Sequence, residues 1–277
     1  MVSSYQVDFI IAGVLSLVIL TIAGYSIFVP ENLKPKYNYK RVKEAEVSEI
    51  FSYLALATFI FMLMNFQTAV SNFLGLSPCR NYDHYMLMME GNKVGYLQSL
   101  ATPILTYFSG IIYLLGFSFL LIFTFIIFMC SRTQNLKEYA IAFAFIYLAA
   151  YPFYIFFPVD VTGHVLPGVV PLLYQLNPSV LPIVTFCDPG LNNCFPSLHA
   201  ALSMMATLFI VFRTDLKRYK IFAVVTTIFI QFSILYLGIH WIADLIAGDF
   251  LAVFAYFLAT KKFKLRFKNE DIDFHTR

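Results

Sequence analysis

Seven stretches of nearly continuous apolar residues run along the chain, at roughly 8–29, 49–76, 100–130, 139–158, 196–212, 221–238 and 240–260. Each approaches or exceeds the ~20 apolar residues that a helix needs to cross a ~30 Å hydrocarbon core at 1.5 Å per residue. The pattern predicts an all-α fold, a polytopic membrane bundle of about seven transmembrane helices. The third stretch is long enough to tilt or to extend beyond the lipid. The first resembles a signal peptide in position only. Met1 to Gln6 carries no Lys or Arg, the stretch is too long, and no small-residue cleavage pattern follows, so it reads as a retained helix.

Composition agrees with the pattern. Of 277 residues, 60% are hydrophobic and 13% charged, too apolar for a chain of this size to keep a polar surface in water. The net charge of +3 gives no argument for nucleic acid. Its distribution is more informative. Lys34, Lys36, Lys40, Arg41 and Lys43 follow the first segment, and Arg132 and Lys137 the third. Arg213, Lys217, Arg218 and Lys220 follow the fifth, and six more basic residues lie in the tail from Lys261 to Arg277. With seven crossings, 17 of the 19 basic residues fall on one side, leaving Arg80 and Lys93 on the other. Lys and Arg concentrate in cytoplasmic loops. The expected topology has the N-terminus outside and the C-terminus in the cytoplasm, in a plasma membrane. The organisation reads as an N-terminal helix with a basic loop (1–48), a six-helix membrane domain (49–260) and a basic tail (261–277) near anionic lipid.

Two outer connections are long, about 77–99 and 159–195. Six prolines stand from Pro158, just ahead of the second, to Pro189 within it, so it cannot be one helix. Its apolar part from Val165 to Leu176 has three readings: an interfacial segment, a lid over the bundle mouth, or a packed loop. Cys187 and Cys194 flank the turn-rich DPGLNN, which allows a disulfide outside the cell; two free thiols are the alternative. No second Cys or His pair accompanies them to suggest zinc.

Ionisable residues at the ends of apolar helices are costly and therefore functional candidates. Two clusters stand out: Cys194-Phe195-Pro196-Ser197-Leu198-His199-Ala200 and Gly238-Ile239-His240-Trp241-Ile242-Ala243-Asp244. His199 and His240 are 41 residues apart, on the order of 60 Å of helix, or two crossings. A helical hairpin therefore returns both to one face, the outer one by the charge count. His240 and Asp244 are four apart, a spacing at which helical side chains touch. The carboxylate can hold one ring nitrogen and leave the other to attack phosphorus. Pro196 suits a helix's first turn. The amides around Ser197 and Leu198, with the helix dipole, favour a phosphate, and His199 can protonate a leaving oxygen. Either cluster alone suits an interfacial His or a structural Asp; the two on one face point to function. Asp249 falls on the opposite helix face and reads as structural, while Asp160 and His164 are at most accessories.

At these residues the chain resembles the type-2 phosphatidic acid phosphatase superfamily. That superfamily includes lipid phosphatases, polyprenyl pyrophosphate phosphatases and phosphotransferases such as inositol phosphorylceramide synthase and sphingomyelin synthase. The resemblance covers Phe195 to Ala200 and Gly238 to Gly248, and the layout from about 49 to 260 resembles the family's six-helix core. It implies that His240 is the nucleophile, Asp244 its orienting carboxylate and His199 the proton donor. Ser197 and Leu198 would bind phosphate oxygens, and no metal or other cofactor would be required.

The chain departs from the family at two places. The family's phosphatases carry Lys and Arg in a first motif, where this chain has Tyr151 to Asp160 with no basic residue. They also carry Ser-Arg ahead of the motif His, where this chain has Ser233-Ile234. A phosphate still needs compensating charge, which leaves Arg80 and Lys93 as candidate ligands; two ordinary loop charges are the alternative. The missing basic positions resemble the phosphotransferase branch. The leading expectation is a lipid phosphatase acting on a phosphate ester or pyrophosphate, a polyisoprenyl pyrophosphate foremost. Alternatives are a phosphotransferase with the same histidines, a transporter with a His/Asp site, and an inactive scaffold. The expected partners are the bilayer and the lipid phosphate itself.

Overall fold

The computed structural model describes residues 4–38, 47–76, 82–131, 133–188 and 190–273. Thirteen helices are named in chain order: α1 Ser4–Phe28, α2 Val47–Asn65, α3 Gln67–Phe73, α4 Asp83–Glu90, α5 Lys93–Gln98, α6 Pro103–Met129, α7 Thr133–Phe156, α8 Thr162–Val165, α9 Leu172–Gln175, α10 Val180–Cys187, α11 Leu198–Arg213, α12 Lys217–Tyr236 and α13 Ile242–Asp273. Among the described residues there is no strand, only one isolated bridge between Val159 and Asn193.

Five helices are long and apolar enough to cross a membrane: those over Gln6–Phe28, Pro103–Met129, Gln134–Phe156, Lys217–Tyr236 and Ile242–Thr260. Two shorter apolar helices, Phe51–Ile60 and Leu198–Arg213, fall within the other two segments expected from the sequence. The second segment breaks at Phe66, between α2 and α3. Large apolar side chains such as Ile19, Ile22, Ile104 and Phe250 are exposed on the outside of the bundle, a surface that hydrocarbon satisfies and water does not. The protein is an all-α, polytopic integral membrane bundle.

Three of the basic connections meet at one end. Lys36, after α1, pairs with Asp215, after α11. The Asp215 amide donates to the Tyr37 hydroxyl at 3.2 Å. Arg213 pairs with Glu138 of α7 at 2.7 Å. His199 lies at the other end of α11 from Arg213. The charge clustering in the sequence thus corresponds to a physical end of the bundle, away from the two histidines.

The helices that matter for the histidines are α11 and α13, which pack most extensively against each other. Gly248 makes this possible. A Cβ there would lie 2.5 Å from the Ser197 carbonyl oxygen and 3.1 Å from the Ala200 Cβ. Such a clash with backbone cannot be relieved by a rotamer change, and overpacking of this kind costs about 1–3 kcal/mol. Gly248→Ala is therefore expected to lower the melting temperature of the detergent-solubilised protein. Gly13→Ala, in exposed α1 with nothing within 4 Å of its new Cβ, is expected to leave it unchanged or raise it slightly.

Candidate active site

The first histidine is placed by the cap of α11. Ser197 has extended backbone, and its hydroxyl accepts the Ala200 amide at 3.3 Å, the side-chain cap for which Ser is favoured. Pro196 precedes the helix rather than occupying its first turn, because the cap falls on Ser197. The Tyr154 hydroxyl of α7 donates to the Pro196 carbonyl at 2.7 Å and ties this turn down. The Ser197 carbonyl accepts the Ala201 amide. The Leu198 and His199 amides are left without an intrahelical acceptor, as at any helix start.

The second histidine is placed by the turn between α12 and α13. Gly238, with φ +73°, turns the chain in the left-handed region open to glycine. A Cβ there would also meet the Val170 carbonyl at 2.7 Å. The turn delivers His240 just ahead of α13. Asp244 Oδ2 lies 3.2 Å from His240 Nδ1 and accepts the Trp241 amide at 2.9 Å. Trp241 is fully buried and its indole N–H donates to the Asp160 carbonyl at 3.0 Å. The Asp244 carbonyl accepts the Ser197 amide at 3.0 Å. One residue thus holds both the His240 ring and the start of α11.

The structure brings the two motifs together as the sequence spacing predicts. The His199 and His240 rings are 5.7 Å apart, centroid to centroid. His240 is 4% exposed and Asp244 is fully buried. With Nδ1 engaged by the carboxylate, Nε2 of His240 is the nitrogen left for chemistry. The His199 ring sits against Tyr113 and Phe117, at centroid distances of 4.6 and 4.7 Å. Both come from α6, and Tyr113 lies on its π-helical turn, Ile112–Gly116. A turn of this kind re-aims side chains within a helix and is frequent at functional sites.

Both histidines line one cavity of about 340 Å³. Its floor comes from α6, α7, α11 and the turn before α13. Its roof comes from the connection 159–195, with Val161, Tyr174, Ile183, Asp188 and Asn193 facing inward. That connection is pinned down: Gly163 N donates to the Gly238 carbonyl at 2.9 Å. Gln98 of α5 bonds the Val170 backbone through both ends of its amide. Of the three readings of Val165 to Leu176, the segment is a packed cover over the bundle mouth.

Several candidates from the sequence stand elsewhere. The side chain of Ser197 is fully buried as the cap and does not line the cavity, whereas Leu198 does. Lys93 is exposed on α5, close enough to Glu90 to act on its charge, and does not line the cavity. The outer loop folds back and carries it to that flank. Arg80 lies outside the described residues. The side chain of Cys187 lies outside the described residues, and with it the Cys187–Cys194 bridge expected from the sequence. Cys194 is a buried free thiol whose Sγ donates to the Ile239 carbonyl at 3.3 Å. Asp249 accepts Gln231 at 2.7 Å, the structural partner expected of it. Asp160 and His164 brace the roof and do not line the cavity.

Three features have no signal in the sequence. Glu90 of α4 accepts the Ile242 and Ala243 amides at 2.8 and 3.3 Å, which leaves the start of α11 as the free helix N-terminus at the site. Burial raises the Glu90 carboxyl above its usual range. Asp188 in the roof accepts the Asn193 amide at 3.1 Å. Burial pushes its carboxyl up to about 6 against the pull of the amides of residues 190–193. Burial, with Cys194 and Asp188 nearby, also raises the Tyr174 hydroxyl. Cys194 Sγ, a His240 ring nitrogen and an Asp244 oxygen lie within 4.8 Å of one another. A thiolate, an imidazole and a carboxylate are a plausible donor set for zinc, but Asp244 and Cys194 here are engaged with Trp241 and Ile239.

Two comparisons with known proteins bear on this geometry. Residues 173–268 match the model of the PAP2 superfamily. The match takes in both motifs, the roof from Leu173 onward and all of α11 and α12, and it bears out the resemblance read from the sequence. The crystal structure of Aquifex aeolicus LpxE is similar to the chain with a TM-score of 0.49 and 18% identity. The similarity covers 61% of this chain and 92% of that one, a likeness too slight to argue from. No curated protein matches the chain. The stretch before residue 173 lies outside the PAP2 match, yet α6 and α7 supply Tyr113, Phe117 and Tyr154 to the same cavity.

Proposed function

We propose that the protein is a membrane lipid phosphatase that works through a phosphohistidine on His240, with residues 49–260 as its catalytic domain. The observation that carries this reading is the His240–Asp244 pair at 3.2 Å with His199 beside it in one cavity. The match to the PAP2 superfamily over both motifs supports it.

In this mechanism Nε2 of His240 donates its electron pair to phosphorus. The bond to the leaving oxygen breaks, and His199, as imidazolium, gives that oxygen its proton. Asp244 keeps the Nδ1–H tautomer and balances the positive charge that develops on the ring. In the second half, His199 takes a proton from water, the hydroxide oxygen attacks phosphorus, and the N–P bond breaks. Leu198 and His199 amides at the α11 N-terminus bind the phosphoryl oxygens. The charge distribution supports an outer-face site in a plasma membrane, with the N-terminus outside.

A second reading is favoured by one observation. Among the described residues that line the cavity there is no Lys or Arg. A phosphate monoester or pyrophosphate brings more charge than this wall compensates, whereas a phosphodiester brings one charge. A phosphodiester donor with an alcohol acceptor makes the enzyme a phosphotransferase, by the same two half-reactions. A polyisoprenyl pyrophosphate remains the leading monoester-type candidate.

The test is phosphorus release from a lipid panel: a polyprenyl pyrophosphate, a polyprenyl phosphate, phosphatidic acid and a phosphodiester lipid with and without an alcohol acceptor. Release of phosphate in water alone is the expected result for the phosphatase. Acceptor-dependent turnover of the phosphodiester alone selects the phosphotransferase. No turnover under any condition overturns both.

A further inference from the structure

Helix α4 buries its acids and exposes its apolar side chains. Tyr85, Leu87, Met88 and Met89 are exposed, whereas its buried residues are Asp83, Met86 and Glu90. Buried carboxylates are costly unless donors meet them. Asp83 and Glu90 are seven residues apart, at the two ends of the helix, and two turns bring them onto one face. Both serve the residues around Trp241. Asp83 Oδ1 accepts the Asp160 amide at 2.8 Å, and the Asp160 carbonyl accepts the Trp241 indole N–H. Glu90 Oε2 and Oε1 accept the Ile242 and Ala243 amides.

The start of α13 shows why an acceptor is needed there. Trp241, whose carbonyl accepts the Leu245 amide at 3.4 Å, stands at the cap position and has no side-chain acceptor. The first amides of the helix have no intrahelical partner. Asp244 supplies half of a capping box, its Oδ2 accepting the Trp241 amide from three residues on. Glu90 supplies the missing acceptor from 152 residues away. Without it, the acceptor nearest in sequence to the Ile242 and Ala243 amides is the Asp244 carboxylate itself. Acids in a helix's first turn readily bond such amides. Asp244 Oδ1 is buried without a hydrogen-bond partner, and Asp244 is close enough to Glu90 to act on its charge. Rotation of that carboxylate toward the freed amides would draw Oδ2 away from His240 Nδ1.

We propose that Glu90 is a positioning residue for the catalytic pair: by capping α13 it reserves the Asp244 carboxylate for His240. The inference rests on the phosphoryl-transfer reading for its effect on rate, and on the geometry of the α13 start for its effect on the His240 ring. Glu90 does not line the cavity, so its removal leaves the substrate contacts in place.

The test joins a spectrum to a rate. Full-length protein carrying isotope-labelled histidine, in detergent, gives imidazole nitrogen shifts that report tautomer and hydrogen bonding. The His240 signals are identified by their loss in His240→Ala. Glu90→Ala is expected to move the His240 Nδ1 signal from its wild-type position. Glu90→Gln, which keeps one oxygen for the amides, is expected to restore part of the shift. With the lipid that the wild type turns over fastest, kcat is expected to fall about 10–100-fold in Glu90→Ala, the scale of a small misplacement at a reacting group. KM is expected to stay within about twofold, since binding is not what is lost. In an Asp244→Asn background the same substitution is expected to change kcat by no more than about twofold, because both residues act through one contact. An unmoved His240 signal in Glu90→Ala, or a loss of rate that adds in full to that of Asp244→Asn, overturns the positioning role. Should Glu90→Ala fail to fold, Glu90→Gln against the wild type carries both readouts. A moved His240 signal with no His240-dependent turnover of any lipid overturns the phosphoryl-transfer reading alone.

Discussion

Alanine at position 240 is expected to abolish turnover, lowering it by about 10⁴-fold or more, as loss of an enzymic nucleophile does. The reason is local. His240 contributes the attacking nitrogen in the proposed mechanism, and His199, against Tyr113 and Phe117, has no carboxylate partner of this kind among the hydrogen bonds of the site. Substrate binding should change little, because the roof and the α11 amides remain. The fold should also survive, since the Cys194 thiol and the Trp241 indole keep their own bonds to Ile239 and Asp160. Turnover and ligand binding on the same preparation separate a chemical loss from misfolding.

Asp244→Asn is expected to lower the rate by about 10²–10⁴-fold, the range in which an orienting carboxylate acts on a catalytic histidine. Asp244 Oδ2 serves two donors, His240 Nδ1 and the Trp241 amide. An amide with its oxygen in the Oδ2 place can still accept from both donors, but that neutral oxygen is a weaker acceptor for the Nδ1–H and holds the tautomer less firmly. It also removes the negative charge that balances phosphohistidine in a buried site, where the interaction is strong. The Ser197 amide bond to the Asp244 carbonyl is backbone and survives, so α11 should stay seated. Stopped-time turnover against melting temperature checks both halves: a large loss of rate with a small change in stability.

Much of this architecture can be read from hydrophobic runs and helix spacing. The return of His199 and His240 to one face follows from two crossings, and the Asp244 contact from an i, i+4 spacing. The details that escape the sequence depend on partners far along the chain. The Ser197 cap displaces Pro196 from the helix, since a side-chain acceptor at 197 fixes where α11 starts. The roof over 159–195 is held by Gln98 and Gly238, and no periodicity pairs residues so far apart. Glu90 and Asp188 look like ordinary loop acids until the fold places one on the α13 amides and the other in the cavity wall. Cys194 stands beside a turn-rich spacer in the sequence, and only the fold shows its thiol buried against the Ile239 carbonyl. The charge of Lys93 is all that points it to a phosphate, and the fold sets it beside Glu90.

The central claim is that His240 carries the phosphoryl group, and the most direct measurement is the mass of the peptide containing His240 after turnover is quenched in alkali. An activated phosphoester, whose leaving group needs no proton, is used with the wild type and with His199→Ala. The account predicts a phosphoryl-sized increment on His240 that accumulates in His199→Ala, where water is no longer activated, and is absent from His240→Ala. Turnover with no increment at His240, or an increment on another residue that persists in His240→Ala, would contradict it.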